Sequence, residues 1–544
     1  MYKKRISMVL LSLTLVIVSI FSNFGTMEAN AIDVDTKLKE KLVHIKTAKA
    51  ESGFEDLKPL KEILKEKKIV GIGESTLGAK EFYEIKHRLV EFLVEEMGYR
   101  IFAVDAEFAD VKVVNDYING NDGSIDDAIW ALRHFNWAPT REKDGSSQIV
   151  THAYLASWTT TEVAEMLQWM KNYNSNAANE DRIKFYGIDI ELPDGSIDDL
   201  FEYLYIVDGE MASRYSDRLS HLIMVYKFDI KYPTPGALGL FVEMMKGLDE
   251  EFKFNKEIYI DKTSDIEYEL AEHNLNTIIQ WTDYRGSNLQ SGTKEALDKR
   301  DYYMSENVKW LLNFEKQFGN DKVMILAHNR NIAKKSNDHI SMGEHLVEAF
   351  GDEYYAIGLD FYGGRFRAFG VDIWGNPISN YLAKFSIKES PKTTLSYKFE
   401  QTDIPISFLD FKSAGEDEEL KKLLSSEQLF HNIGMMYPGK YTPTRYLVDC
   451  IKRYSNDIPI NSYDGFIFIK EISETTGVYE ARDTKIEDGD KAIINHYLHI
   501  LFGQISTIIS IIIVTVLVIF FIRKKIINKK SGKGARYPTS DRWD

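Results

Sequence analysis

The chain has 544 residues, of which 44% are hydrophobic and 12% aromatic, and it contains one cysteine, Cys450. This composition supplies a large buried core and excludes a disordered chain, while a single cysteine excludes an intramolecular disulfide and a cysteine-based zinc or iron–sulfur site. The formal net charge of −16 disfavours binding to nucleic acid or to anionic lipid headgroups, so we expect no nucleic-acid partner.

Residues 1–31 have the organisation of an export signal. A basic cluster at residues 3–5 precedes an apolar run from about residue 6 to residue 21, and Ala29-Asn30-Ala31 follows as a small-x-small cleavage site. The run is shorter than the roughly 20 residues that span a bilayer. We therefore predict a signal peptide that is cleaved after Ala31; an uncleaved membrane anchor is the alternative.

A short apolar run at residues 67–72 predicts the first strand of the main domain. It breaks at Gly73 onto Glu74, and an amphipathic helix with apolar residues at three- and four-residue spacing follows as far as Met97. Residues 100–104 form a second predicted strand that is followed by Asp105. Strand, helix and strand in this order make a βαβ unit, so the two strands should be parallel and the two carboxylates should share one edge of the sheet.

Four more strands are predicted, and ionisable residues stand at the ends of three of them. The predicted strands cover residues 183–188, 322–327, 354–360 and 464–469, and the three residues are Asp189, His328 and Asp360. The stretch from 195 to about 317 has a mostly helical pattern, and 368–393 a pattern of short strands. Together with Glu74 and Asp105, the three residues should meet at the carboxyl edge of the sheet, where open parallel sheets bind ligands.

Residues 500–522 form an uncharged run rich in Ile, Val and Phe, and a basic segment follows at 523–544. The length and the basic flank predict a membrane span with a cytoplasmic tail, which places the main domain outside the cell membrane by the positive-inside rule. A buried core helix is the alternative. Residues 471–499 would then be a juxtamembrane linker, and the chain would be a single-pass protein of the cell membrane.

Strands separated by helices predict an α/β fold with a mainly parallel central sheet flanked by helices. We expect this domain over residues 32–470, with a large helical insertion subdomain at about 195–317 and one C-terminal transmembrane helix. No internal repeat is present.

Seven stretches between about residue 69 and residue 469 resemble the erythromycin esterase family, a group of hydrolases that open macrolide lactones, together with relatives labelled as succinoglycan-biosynthesis proteins. Their order and spacing carry the resemblance more than any one of them does. They are Gly73-Glu74-Ser75-Thr76 with Glu81-Phe82, the strand end at Asp105, Trp158-Thr159-Thr160-Thr161-Glu162, Phe185-Tyr186-Gly187-Ile188-Asp189, Arg300-Asp301 with Met304 and Asn307, Ala327-His328-Asn329, and Tyr463-Asp464-Gly465.

The resemblance implies a hydrolysis without metal or other cofactor, in which a histidine three residues after the first glutamate acts as general base on a water molecule. Carried over by position, the first glutamate is Glu74, the basic residue of the following helix is Lys86 where arginine is usual, and the second glutamate is Asp105. Of a histidine pair after a later strand, the first position holds His328 and the second Asn331. The position of the base itself holds Leu77.

Leu77 cannot accept a proton, and general base assistance typically contributes about 10²–10⁴-fold in rate. We predict His328 as the replacement base, with His87 and His134 as weaker alternatives. No metal site is predicted, because the sequence has no histidine pair spaced as His-x-x-x-His. The predicted catalytic residues are Glu74, Asp105 and His328, and the predicted substrate-binding or charge-stabilising residues are Lys86, Asp189, Arg300 and Asn331.

These residues predict a membrane-anchored, extracellular hydrolase that cleaves an unknown ester or lactone with a water molecule. The expected partner is a small-molecule ester or an envelope-derived ligand, besides the lipid bilayer at 500–522. Antibiotic inactivation fits an external domain less well, since a macrolide acts in the cytoplasm. The alternative is a degenerate surface binding protein that keeps the family's cleft without the general base.

Overall fold

The computed structural model of the chain describes residues 34–121, 123–132, 136–141, 147–152, 158–228, 235–286, 294–373, 378, 382–439, 453–478 and 488–531. The predicted signal peptide at 1–31, the alternative base His134 and the single cysteine Cys450 lie outside these residues.

The strands in the described part of the chain are β1 (Val43–His44), β2 (Ile69–Ile72), β3 (Ile101–Glu107), β4 (Asn136–Arg141), β5 (Ser147–His152), β6 (Lys184–Asp189), β7 (Val323–Leu326), β8 (Tyr354–Gly370), β9 (Ala383–Ile387), β10 (Ile406–Asp410), β11 (Gln428–His431), β12 (Met436–Tyr437), β13 (Tyr454–Asp457) and β14 (Gly465–Ile472).

The helices there are α1 (34–41), α2 (Lys58–Leu64), α3 (Lys80–Met97), α4 (Lys112–Ile118), α5 (Ile125–Ala131), α6 (Thr161–Asn176), α7 (Asp194–Val207), α8 (Gly209–Phe228), α9 (Pro235–Phe254), α10 (Lys256–Lys262), α11 (Asp265–Gly286), α12 (Lys294–Glu315), α13 (Asn329–Ile332), α14 (Met342–Phe350), α15 (Leu395–Glu400), α16 (Phe411–Ala414), α17 (Glu418–Leu424), α18 (Pro459–Ser462) and α19 (Gly489–Ser531).

The fold is a mixed α/β fold with a ten-stranded central sheet. Its strands lie in the order β1-β10-β14-β8-β2-β7-β3-β6, and β9 and β12 pair with β8 outside this path. The pairs from β14 to β6 are parallel, whereas β1, β10 and β9 pair antiparallel with their neighbours. The parallel strands therefore have their carboxyl ends at one edge, as expected for strands connected through helices.

The central strands are apolar at nearly every position because both faces of the sheet are covered. In β2, Val70 and Ile72 belong to one hydrophobic core, and Ile69 belongs to a second core on the opposite face. The same alternation holds in β3 and β7. Helices α3 and α6 contribute to the first core, and α12 and α14 to the second, so the sheet lies between two helical layers.

The described residues between β6 and β7 form a layer of helices, α7 to α12. Side chains of α7, α8, α9, α10 and α11 form a separate hydrophobic core that contains Leu204, Phe252 and Leu275. Helix α12 instead returns to the sheet, where Met304 and Leu311 join the second core. This connection brings Arg300, near the start of α12, back to the end of β6.

The prediction of a transmembrane helix at 500–522 is wrong. The prediction of a single-pass membrane protein with an external main domain depended on this helix and is wrong as well. Within the described residues, no helix combines the length and the apolarity needed to cross a membrane. The run belongs to α19, whose first turns pack on the sheet, where Ile493 is buried and Tyr497 accepts a hydrogen bond from the Ile373 N–H at 3.0 Å.

Candidate functional site at the carboxyl edge of the sheet

Four of the predicted site residues stand at the ends of neighbouring parallel strands. The residues that pair across β2, β7, β3 and β6 at the last common level of the sheet are Ile72, Leu326, Val104 and Gly187. Glu74, His328 and Asp189 follow that level by two positions, and Asp105 follows it by one. The order across the edge is therefore Glu74, His328, Asp105 and Asp189. The register of β3 shifts between Val104 and Glu107, and such bulges often redirect side chains next to functional sites.

Glu74 and Lys86 form a buried ion pair that joins the end of β2 to the second turn of α3. Neither carboxylate oxygen of Glu74 accepts a hydrogen bond of good geometry from a described residue beyond this ion pair. Burial lowers the pKa of Lys86 to about 7, while the charge of Asp105 acts in the opposite direction. Lys86 is therefore a buried cation shared between the carboxylates of two strand ends.

Asp105 is half-buried and lies between cations and a second carboxylate. Burial raises its pKa to about 7; the positive charges of Arg300 and Lys86 oppose this shift, and the negative charge of Asp189 adds to it. Arg300 forms a bidentate ion pair with the buried carboxylate of Asp189, with Nε 2.8 Å from Oδ1. The Asp189 carboxylate also accepts the Ile190 N–H at 2.7 Å. Asp189 and Arg300 therefore help to set the charge state of Asp105.

Glu107 is a further carboxylate of this site that the sequence analysis missed. It is buried, pairs in register with Asp189 across β3 and β6, and accepts the Leu192 N–H at 2.7 Å. Burial and, after it, the charges of Asp189 and Asp110 raise the pKa of Glu107 well above its usual value. The available signal was the Asp-Ala-Glu sequence at 105–107, because alternate residues of a strand lie on the same face.

His328 caps the short helix α13 with its side chain. Its Nδ1 accepts the Arg330 N–H at 3.2 Å, so the proton of the neutral ring is on Nε2. Burial and the nearby charges of Arg330 and Lys86 lower the pKa of His328 to about 3. Although the Ser75 carbonyl interacts with the ring, Nε2 makes no hydrogen bond of good geometry to a described residue. His328 can therefore donate a hydrogen bond from Nε2 at neutral pH.

Asn331 lies next to His328 on α13, where its N–H donates to the His328 carbonyl at 2.9 Å, and its side chain is held by Asp301. Its Nδ2 donates to Asp301 Oδ1 at 2.8 Å, and the other oxygen of this buried carboxylate contacts His339 Nε2 at 2.9 Å.

Leu77 lies in the turn after Glu74, is 8% exposed and donates its N–H to the Gly434 carbonyl at 3.2 Å. His87, the alternative base, is buried under helix α6 with its ring 5.7 Å from that of Trp169.

Asp360 and His431 support the turn that carries Glu74. The Asp360 carboxylate is fully buried and accepts hydrogen bonds from Ser75 Oγ at 3.1 Å and the Phe361 N–H at 2.8 Å, with His431 Nδ1 at 2.7 Å. Ile433 and Gly434, just after His431, donate their N–H groups to the Ser75 carbonyl. The sequence analysis placed Asp360 at this edge but did not find His431, since nothing in its local sequence indicates a partner 71 residues away.

The site is consequently a mixture of carboxylates, the buried Lys86, the half-buried Arg300 and the neutral ring of His328. Among the side chains that the structure describes, no group of three or more His, Cys, Asp or Glu residues is placed to hold a metal ion. The chemistry that this arrangement offers is proton transfer by a carboxylate together with hydrogen-bond donation and positive charge.

Residues 94–472 match the family model described as erythromycin esterase. The chain is 24% identical over 411 residues to erythromycin esterase type II of Escherichia coli, which covers 70% of this chain and 89% of that protein. It is also 24% identical over 388 residues to a putative hydrolase of Bacillus subtilis, covering 65% and 77% of the two chains. Glu74, Leu77 and Lys86 precede the range that the family model matches.

Solved structures share the fold. A protein from Bacillus cereus superposes with a TM-score of 0.66 at 22% identity, covering 82% of this chain and 99% of its own. A succinoglycan biosynthesis protein gives 0.64 at 20% identity, covering 82% and 98%. A mutant erythromycin esterase in its open conformation gives 0.55 at 15% identity, covering 79% and 96%. At these identities, the likeness concerns the fold.

Proposed function

Because this chain belongs to the erythromycin esterase family, we propose that it is a hydrolase that cleaves an ester or lactone by attack of a water molecule at the carboxyl edge of its sheet. The observation that carries this proposal is Asp105, a half-buried residue whose charge interacts with those of Lys86 and Arg300 and which stands between the strand ends of His328 and Asp189. The substrate that we propose is a small-molecule ester, including esters derived from the cell envelope.

We propose Asp105 as the general base. Leu77 cannot accept a proton, Glu74 is buried and paired with Lys86, and the Nδ1 of His328 is engaged by the Arg330 N–H. Asp105 is more exposed than Glu74, and its pKa of about 7 makes it a much stronger base than an ordinary aspartate while it is still ionised at neutral pH. This role replaces the one that the sequence analysis gave to His328.

In this mechanism, the water oxygen attacks the ester carbonyl carbon while Asp105 takes one proton from the water. His328 Nε2 donates a hydrogen bond to the carbonyl oxygen, and the buried charge of Lys86 stabilises the negative charge that develops there. The bond between the carbonyl carbon and the alkoxy oxygen then breaks, and the proton held by Asp105 passes to the leaving oxygen. Water and ester thus give an acid and an alcohol, and no other reactant is consumed.

Hydrolysis by the purified chain in heavy-oxygen water tests this proposal. The substrates are p-nitrophenyl butyrate, a simple lactone and a macrolide, and mass spectrometry follows the acid product. We expect one heavy oxygen in the acid, and we expect Asp105→Asn to lower the rate by about 100-fold or more. Asp181→Asn, at a carboxylate whose side chain is 57% exposed, is the matched control and should leave the rate unchanged. Equal rates for the Asp105 variant and the parent would contradict the assignment.

Leu77 and Asn331 favour a second function, that of a binding protein that does not turn over its ligand. Leu77 is a buried apolar side chain at the position where the resemblance would place the family's base, and the amide of Asn331 is held by Asp301. The double variant Leu77→His with Asn331→His separates the two functions. A binding protein with an otherwise complete site would gain hydrolysis, whereas an enzyme that uses Asp105 would lose activity because an added ring displaces its substrate.

A further inference from the structure

A cavity of about 730 Å³ lies along β6, the last strand of the parallel sheet. It is open to solvent on one side and is lined by residues of β6, of α4 and of helices α7, α11 and α12. None of Glu74, Lys86, Asp105, Asp189 and His328 lines it. Its volume falls within the range of about 300–1,000 Å³ that is typical of small-molecule sites. The cavity is therefore separate from the proposed hydrolytic site.

Asn274 is an unsatisfied polar residue in the wall of this cavity. Its side chain is 4% exposed, and its Oδ1 has no hydrogen-bond partner among the described residues. Most buried side-chain oxygens in folded proteins accept a hydrogen bond. The oxygen itself has almost no accessible surface, so the Asn274 side chain must turn toward the cavity to accept a hydrogen bond from a ligand there.

The charges of the wall disfavour an anionic ligand. Its cations are Lys112, Arg182 and Lys184, and its carboxylates are Asp116, Asp199, Glu202, Glu267 and Glu315. Two of the cations already have partners within the wall, because Lys184 Nζ lies 2.8 Å from Glu315 and Lys112 Nζ lies 3.7 Å from Asp199. A ligand with a phosphate or carboxylate would meet the excess of negative charge, whereas hydroxyl groups can donate to the carboxylates and to Asn274.

Aromatic rings supply the apolar part of the wall. Phe108 and Tyr186 both line the cavity and are nearly parallel, with ring centres 6.2 Å apart and an interplanar angle of 11°. The Phe108 ring also packs against the rings of His273 and Trp310, with ring centres 4.5 Å and 5.5 Å away. A ring that carries hydroxyl groups on its rim and C–H groups on its faces can contact such a surface while its hydroxyls reach the polar groups.

We propose that this cavity is a second ligand site, and that its ligand is a neutral, hydroxyl-rich ring compound of the saccharide class. Four asparagines besides Asn274 line the cavity, and an amide can both donate to and accept from a hydroxyl group. The site is independent of the hydrolytic residues, so a ligand can bind whether or not the chain cleaves an ester.

Saturation-transfer NMR on the full chain tests the proposal, with maltotriose and cellotriose as neutral probes and galacturonic acid and glucosamine as charged ones. At about 10 mM of each probe, we expect signal transfer to at least one neutral probe and none to galacturonic acid. Asn274→Ala should weaken the binding of that probe by about tenfold, since it removes the acceptor. The variant should keep the melting temperature of the parent, because the lost oxygen has no partner in the protein.

Asn307→Ala is the matched control. Asn307 is equally buried on α12, but its Oδ1 accepts from Gln280 Nε2 at 2.9 Å and its Nδ2 donates to the Ile188 carbonyl at 3.0 Å. This variant should lower the melting temperature and retain saccharide binding. The proposal is overturned if neither neutral probe binds, if glucosamine alone binds, or if Asn274→Ala binds a neutral probe as tightly as the parent. Asp105→Asn should leave this binding unchanged, which separates it from the hydrolytic site.

Discussion

Lys86 on α3 and Glu74 at the end of β2 form an ion pair in which each side chain is only 2% exposed. Taking two charges out of water is costly, and their attraction offsets this cost only while both partners are present. The pair therefore fixes the turn that contains Leu77 relative to α3. It also places a positive charge beside Asp105 and His328, whose pKa values both respond to Lys86.

Replacing one partner of this pair should destabilise the fold strongly. We expect Lys86→Met to lower the free energy of unfolding by about 3–5 kcal/mol, because Glu74 is left buried without its cation. The double variant with Glu74→Gln should recover a large part of the loss. Urea unfolding measures both values. The control is Lys61→Met, at an exposed pair with Glu96, where the loss should stay below about 1 kcal/mol; similar losses at the two sites would contradict the buried pair.

The pH dependence of stability should reveal the state of Asp105. Its pKa rises from 3.8 to about 7 on folding, so between these values the folded protein holds a proton that the unfolded chain has lost. The contribution of Asp105 to the unfolding free energy is therefore lost as the pH rises from about 4 to about 7. Lys86, whose pKa is lowered to about 7, acts above this window and with the opposite sign.

Asp105→Asn removes this titration. In urea unfolding at several pH values below 7, the difference in unfolding free energy between parent and variant should change steadily in favour of the variant as the pH rises. A difference that does not depend on pH would show that Asp105 keeps an ordinary pKa. Asp181→Asn serves again as the exposed control.

His328 should act as a hydrogen-bond donor and not as a base. We expect His328→Leu to lower kcat by about 10²–10³-fold, as for removal of one donor that stabilises a developing oxyanion. His328→Gln keeps an N–H group near the position of Nε2 and should retain more activity than the leucine variant. Both variants should keep the pH dependence of the parent, because the pKa of His328 is lowered to about 3. Loss of the inflection near neutral pH in His328→Gln would identify it as the base.

The turn after Glu74 should not tolerate a side chain at Gly78. A Cβ atom there would lie 1.9 Å from the Arg367 carbonyl oxygen and 2.4 Å from its backbone nitrogen. Because the obstacle is backbone of β8, no rotamer change relieves the contact, and we expect Gly78→Ala to cost about 1–3 kcal/mol of unfolding free energy or more. Gly209→Ala, where a Cβ meets nothing within 4 Å, is the control and should change the melting temperature little.

The family and the central parallel strands could be predicted because both depend on local patterns. The apolar runs that end at Glu74, Asp189 and His328 show where three strands lie. They also show that these three residues stand at the same level of the carboxyl edge of the sheet. The roles of the residues depend on contacts between distant segments, which the sequence does not contain. His431 meets Asp360 only through the strand arrangement, and the tautomer of His328 depends on its hydrogen bond within α13.

The error at 500–522 and the omission of Glu107 have related causes. An uncharged run was read as a membrane span from its composition, although the preceding turns of the same helix pack on the sheet through Ile493. Glu107 lies beyond the strand predicted at 100–104, whereas β3 continues to it with a shift in register after Val104. In both cases, the packing of neighbouring elements decides the outcome.

The pH dependence of kcat/KM for the best ester substrate, compared between the parent chain and Asp105→Asn, tests the central claim most directly. The claim predicts that the parent's rate rises with pH as Asp105 ionises, with the rise centred near 7, the pKa of the free base. In Asp105→Asn, the rate should fall by about 100-fold or more and the rise with pH should disappear, while the chain remains folded. An unchanged rate and inflection in the variant would contradict the claim that Asp105 is the base.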